Sequence, residues 1–206
     1  MFKHTGVRRT AVGAAALAVV GVVGLATAAA GDDEVGSDGV DLSVTIEDLA
    51  PGSLAMSVAA HDPVELAEDG SDDQARQFTA ALPTVTVSDT RTAEQVPEGA
   101  YWAVVGQASD FTSDAAGSFG AEYLGWTPHL VSGPGGDVAA GEPVSSVIGD
   151  GSGADEVGLE GQELLVSTWA SEPGSWGVTA DLALRVPTDT PAGDYSSTLT
   201  LSLFEG

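Results

Sequence analysis

Apolar and polar residues alternate through much of the chain. Val178, Ala180, Leu182, Leu184 and Val186 are interleaved with Thr179, Asp181, Ala183 and Arg185, a period of two that marks a strand with one buried face. Leu199, Leu201 and Leu203 repeat the pattern against Thr198, Thr200 and Ser202. Between these runs lies a turn-rich connection, residues 187–194, in which Pro191 presets φ and Gly193 relieves steric strain. The two segments, 178–186 and 195–204, predict a C-terminal β-hairpin or two strands that cross a sandwich. Further strands are predicted over residues 41–46, 53–58, 77–82, 84–88, 101–106 and 163–169, where Val and Thr supply β-propensity. Pro83 separates two of them and fits an edge or a bend.

No window beyond residue 30 sustains helical spacing. Residues 65–78 come nearest, and Asp69-Gly70-Ser71-Asp72-Asp73 breaks them. Short strands punctuated by Gly and Pro predict an all-β fold, an antiparallel β-sandwich of immunoglobulin-like architecture. Residues 149–156, rich in Gly and acids, read as a loop between strands.

The start of the chain follows a different rule. Lys3, His4, Arg8 and Arg9 form a basic leader, and residues 11–30 then run without a charge. Ala26-Thr27-Ala28 and Ala28-Ala29-Ala30 fit a small-x-small cleavage pattern. Residues 1–30 therefore read as a secretory signal peptide. The rival reading is a retained membrane anchor, which the many Ala and Gly residues make only weakly hydrophobic. An acidic linker at 31–39 and one β-sandwich domain over 40–206 complete the expected organisation.

Charge narrows the partners. The chain has 6 Lys and Arg against 31 Asp and Glu, a net charge of −25. A chain starting near residue 31 keeps three arginines against the 31 acids, a net of −28. Nucleic-acid binding needs clustered cations, so neither it nor attraction to an anionic membrane is expected. There is no cysteine, hence no disulfide and no thiolate chemistry. Lys3 is the only lysine and asparagine is absent, a bias that fits a GC-rich genome or adaptation to high salt.

Candidate chemistry is sparse. His61 and His129 are the only histidines after the leader; His61-Asp62-Pro63 reads as a turn and His129 follows Pro128 in a loop-like context. Ser118, in Gly117-Ser118-Phe119-Gly120, lacks the spacing of a nucleophile elbow. No enzyme is expected. Asp150-x-Ser152 opens like a calcium loop, but Gly161 occupies the twelfth position where Glu is needed. Asp69, Asp72 and Asp73 form a second oxygen-rich group. No cofactor is assigned, and a structural calcium is the one ion these loops suggest. Tryptophans are first of all packing residues, yet exposed ones stack on sugars or fill a partner's pocket. Trp102, Trp126 and Trp176 are the candidate ligand contacts. Trp126 stands between Gly125 and Thr127-Pro128, a loop-like context. Trp176, among Gly174, Ser175 and Gly177, is the one expected to be partly exposed.

Several motifs in order resemble WxL-domain proteins, surface proteins of Gram-positive bacteria, in an actinobacterial-type version. These are Thr84-Val85-Thr86-Val87-Ser88-Asp89-Thr90-Arg91, Trp102-Ala103-Val104, Asp110-Phe111-Thr112-Ser113 and Leu124-Gly125-Trp126-Thr127-Pro128. Leu182 to Pro187 and Thr190 to Leu203 resemble the family's closing strand pair. The resemblance covers about residues 82–206. It departs at Val104, where the family has Leu, and at Leu201 and Leu203, where a second Trp motif would stand. The resemblance implies an exported, non-catalytic β-sandwich held non-covalently on the cell wall, with peptidoglycan or companion surface proteins as partners. The alternative is an immunoglobulin-like structural subunit of a surface layer or fibre.

Overall fold

The structure is a computed structural model that describes residues 51–60 and 62–206. The leader, the acidic linker, the strand expected over 41–46 and His61 lie outside the described residues. Fourteen strands are present among the described residues: β1 Leu54–Val58, β2 Ala67–Glu68, β3 Ala75–Ala81, β4 Val85–Asp89, β5 Trp102–Ala108, β6 Phe111–Ser113, β7 Gly117–Phe119, β8 Leu124–Ser132, β9 Ala139–Ala140, β10 Val144–Ser145, β11 Asp155–Glu156, β12 Glu163–Thr168, β13 Gly174–Pro187 and β14 Leu199–Glu205. A 3-10 turn, Ala121–Tyr123, precedes β8. The all-β class read from alternation is the class observed.

Two sheets form the sandwich. The larger runs β1-β4-β13-β8-β10-β11, with β3 also on β13 and β2 on β3. The smaller runs β14-β5-β12-β9. β6 and β7 make a separate hairpin. The two C-terminal strands do not form a hairpin: β13 lies in the larger sheet and β14 in the smaller, the crossing arrangement.

β13 organises the larger sheet. Its first half pairs with β4, from Gly174↔Asp89 to Val178↔Val85, and its second with β3, from Asp181↔Ala81 to Pro187↔Ala75. β3 and β4 thus share one flank of β13, divided at Pro83. Thr179 donates its hydroxyl to the Leu82 carbonyl at this break, and the Leu82 N–H donates to Ala180 O at 2.8 Å. The bend therefore leaves no polar group of Leu82 unpaired, as a buried chain requires.

The core lies between the sheets. Val85 and Val87 of β4, Trp126 of β8, and Trp176, Val178, Ala180 and Leu182 of β13 face Trp102 and Val104 of β5 and Val166 of β12. Trp102 and Trp176 meet at 5.6 Å with a tilt of 51°. Trp126 lies over Gly106, where an added Cβ would sit 2.5 Å from the ring. A side chain at 106 would push the sheets apart, so glycine here sets the local spacing.

Candidate functional site

Alternation that buries one face of β5 exposes the other. Trp102, Val104, Gly106 and Ala108 are buried, while Tyr101, Ala103, Val105 and Gln107 point outward. Register carries this face across the small sheet: Phe204 of β14 stands opposite Ala103, which stands opposite Ser167 of β12. A bulge at Leu165 keeps Leu164 exposed beside Val105. The outer face therefore carries Tyr101, Val105, Leu164 and Phe204 beside the polar Gln107, Ser167, Thr200 and Ser202.

Trp169 completes it, one residue beyond β12. The Thr168 hydroxyl accepts from Ala170 N at 3.2 Å and donates to Ala170 O at 3.0 Å, and Ser171 N donates to Ala100 O at 2.8 Å. These bonds fix the turn that presents the indole. Trp169 is 81% exposed, Tyr101 44% and Phe204 51%. Tyr101 and Trp169 lie 6.2 Å apart with a tilt of 41°. The backbone of Tyr101 exchanges two hydrogen bonds with Gly206, at 3.0 and 3.1 Å, so strand pairing also holds the tyrosine. An ordered aromatic pair open to water can stack on a flat apolar surface such as a sugar ring.

The tryptophans singled out from the sequence are placed elsewhere. Trp102, Trp126 and Trp176 are 0%, 1% and 4% exposed. The expectation that Trp126 and Trp176 stand in exposed loop contexts is corrected. Trp126 is in β8 and Trp176 in β13, both directed inward. The glycines beside Trp176 give the indole clearance: a Cβ at Gly174 would lie 2.7 Å from its ring, and one at Gly133 2.5 Å. Its Nε1 donates to Gly135 O at 3.3 Å. The Nε1 groups of Trp102 and Trp126 are buried without a hydrogen-bond partner. The structure joins these three in one core and leaves Trp169 as the outward one. Parity was the signal: 169 shares the face of Ser167, as 101 shares that of Ala103.

The outer face of the larger sheet carries a cleft of about 590 Å³. Gly125, Thr127 and Ala183 lie along it, with Ser145, Ser152, Asp150, Asp155 and Arg185 around them. Arg185 is buried there because the β2–β3 loop covers it. Its guanidinium donates to Asp72 at 2.8 Å and to the Gln77 side-chain oxygen at 2.8 Å. The Arg185 hydrogen bond is the main cause that pulls the Asp72 carboxyl down to about 2, helped by the N–H groups of Ala75 and Gln74.

The calcium candidates have other partners. Asp72 is engaged by Arg185, and Asp150 accepts from Ser152 N at 2.8 Å in a local turn. Among the described residues, no group of three or more His, Asp or Glu is placed to hold a metal ion. His129 Nδ1 lies 4.0 Å from Asp181, and both side chains are exposed. No protein-family model matches the chain, and no curated protein matches it.

Proposed function

We propose that the protein is an exported, non-catalytic surface protein that binds the bacterial cell wall non-covalently, through peptidoglycan or a companion surface protein. The reading starts from the signal-like leader and from the resemblance of residues 82–206 to WxL-domain proteins. The observation that carries it is the aromatic cluster on the outer face of the small sheet, with Tyr101 and Trp169 adjacent and open to solvent. Aromatic side chains that are clustered and open to water are suited to contact a ligand or partner. In this proposal the contact residues are Tyr101, Trp169 and Phe204, and Trp102, Trp126 and Trp176 form the support behind them.

Charge sets the character of the contact. A chain of net charge −25 gains nothing from coulombic attraction to an anionic wall, so stacking and hydrogen bonds must hold it. The test is co-sedimentation with purified sacculi over a salt series, with calcium and with chelator. Saturable pelleting that persists or strengthens with salt supports the reading. No pelleting in any condition contradicts it.

A further inference from the structure

Strand edges in the two sheets are managed unequally. β2, β9 and β11 are two residues each, and β1 is five residues long and begins beside Pro51 and Gly52. Short edges and nearby prolines blunt unwanted pairing. β14 has none of these devices. It is seven residues long, and among the described residues it pairs with β5 alone, in continuous register from Leu199↔Ala108 to Glu205↔Trp102. From Leu199 to Phe204 it carries no charge and no proline, in a chain of net charge −25.

Its free backbone groups can be assigned. Gly206 and Tyr101 exchange both N–H···O bonds. Alternation in an antiparallel ladder then turns Phe204, Ser202 and Thr200 toward β5. Leu199, Leu201, Leu203 and Glu205 direct their N–H and C=O groups to the side that has no strand partner among the described residues. Four donors and four acceptors thus stand in a row on a strand whose one charge is at its end, Glu205.

We infer that β14 is a self-pairing edge, and that its partner is β14 of a second copy of this chain. Two such strands run antiparallel about a two-fold axis at Ser202. Leu201 then stands opposite Leu203 of the other copy, Leu199 opposite Glu205, and Thr200 opposite Phe204. The residues that meet as hydrogen-bonded pairs are those whose backbone groups are free. Charge favours this partner and register. Two copies repel everywhere that acids meet, and β14 is a strip where they do not. The strand's one acid, Glu205, is kept about 20 Å from its counterpart, well beyond a screening length of about 8 Å at physiological salt.

The pairing is isologous, so it closes as a dimer and does not propagate into a fibre. The small sheet becomes an eight-stranded sheet across the pair. The two-fold axis runs perpendicular to the sheet, so both Trp169 faces point the same way. This inference is independent of wall binding and is tested without any wall.

Sedimentation velocity of the purified full chain, across concentration and salt, reads it directly. The expected result is a reversible dimer that tightens as salt screens the repulsion. Ser202→Glu and Ser202→Lys each place like charges at the two-fold axis and are expected to weaken dimerisation by about tenfold or more. An equimolar mixture of the two variants is expected to restore it, a recovery that misfolded chains cannot show. Single-chain mass at every concentration and salt overturns the inference. Protection of the Leu201 and Leu203 amides from hydrogen exchange in that monomer would then assign the edge to another segment of the same chain. A dimer unchanged by Ser202→Glu overturns it as well, because the contact would lie elsewhere.

Discussion

Arg91 joins the two sheets to each other by binding Glu205. It follows β4 of the larger sheet, and its guanidinium donates to Glu205 at the end of β14 in the smaller. The same guanidinium donates twice to Asp89, at 2.9 and 2.6 Å, and the Arg91 N–H donates to Asp89 Oδ1 at 3.1 Å. Asp89 is buried and Glu205 is partly exposed. The arginine therefore neutralises a buried acid and, with its remaining nitrogen, holds the edge of the opposite sheet. Arg91→Ala strips Asp89 of its partner and is expected to cost about 3 kcal/mol in urea unfolding. Glu205→Gln leaves the buried pair intact and is expected to cost under about 1 kcal/mol.

Acid should expose these pairs. The Asp89 carboxyl is held below its ordinary value chiefly by the Arg91 hydrogen bond, and Asp72 is held at about 2 by Arg185. Groups with depressed folded values contribute stability above their unfolded values, near 3.8, and lose it as pH falls through the folded ones. Glu163 has the opposite sign. Burial and the nearby Asp155 raise it, so the folded state gains as pH falls through its value. Stability measured by denaturant midpoint should hold or rise slightly as pH falls toward the ordinary Glu value of 4.5, then drop from about pH 4 to 2. Glu163→Gln should remove the rise, and Asp72→Asn should flatten part of the drop.

Close packing at Gly106 makes a paired prediction. Gly106→Ala drives a methyl into the Trp126 ring and should cost about 1–3 kcal/mol. Trp126→Ala opens a cavity and should cost about 3–5 kcal/mol. Trp126→Phe should cost much less, because the indole N–H that it removes is buried without a partner. The double variant Gly106→Ala with Trp126→Phe should be less destabilised than the two single costs added together, since the smaller ring gives the methyl room. Thermal unfolding of the wild type, the two single variants Gly106→Ala and Trp126→Phe, and the double variant closes the cycle.

Much of the fold was legible in alternation. The strands over 53–58, 77–82, 84–88, 101–106, 163–169 and 178–186 appear within one to four residues of their predicted ends. Pro83 stands at the bend it suggested. β8 was not legible, because Gly125 and Pro128 look like loop residues. β10 pairs with β8 only at Trp126, so from Thr127 onward that flank has no ladder partner among the described residues. A proline there gives up no sheet hydrogen bond. Trp176 misled for a related reason. Glycine beside a large ring suggests a turn, but here it makes room for the ring inside a strand. A sequence records small neighbours without saying which side of the sheet needs the space. The aromatic face was half legible: Tyr101 and Trp169 have outward parity, but Phe204 joins them only through the register of β14 on β5.

The tryptophans should separate in solution. Trp169 is open to water, while Trp102, Trp126 and Trp176 are buried. Acrylamide quenching of the native chain should show one readily quenched fluorophore over a protected majority. Trp169→Ala should abolish the quenched component and shift stability by no more than about 0.5 kcal/mol.

Wall binding by the outer face is tested most directly by pelleting with sacculi, comparing wild type, Trp169→Ala and Trp176→Phe at equal fold content. Loss of pelleting in Trp169→Ala, with binding retained in Trp176→Phe whenever that variant is folded, is the expected result. Undiminished pelleting of Trp169→Ala and of Tyr101→Ala would contradict the aromatic face as the contact surface.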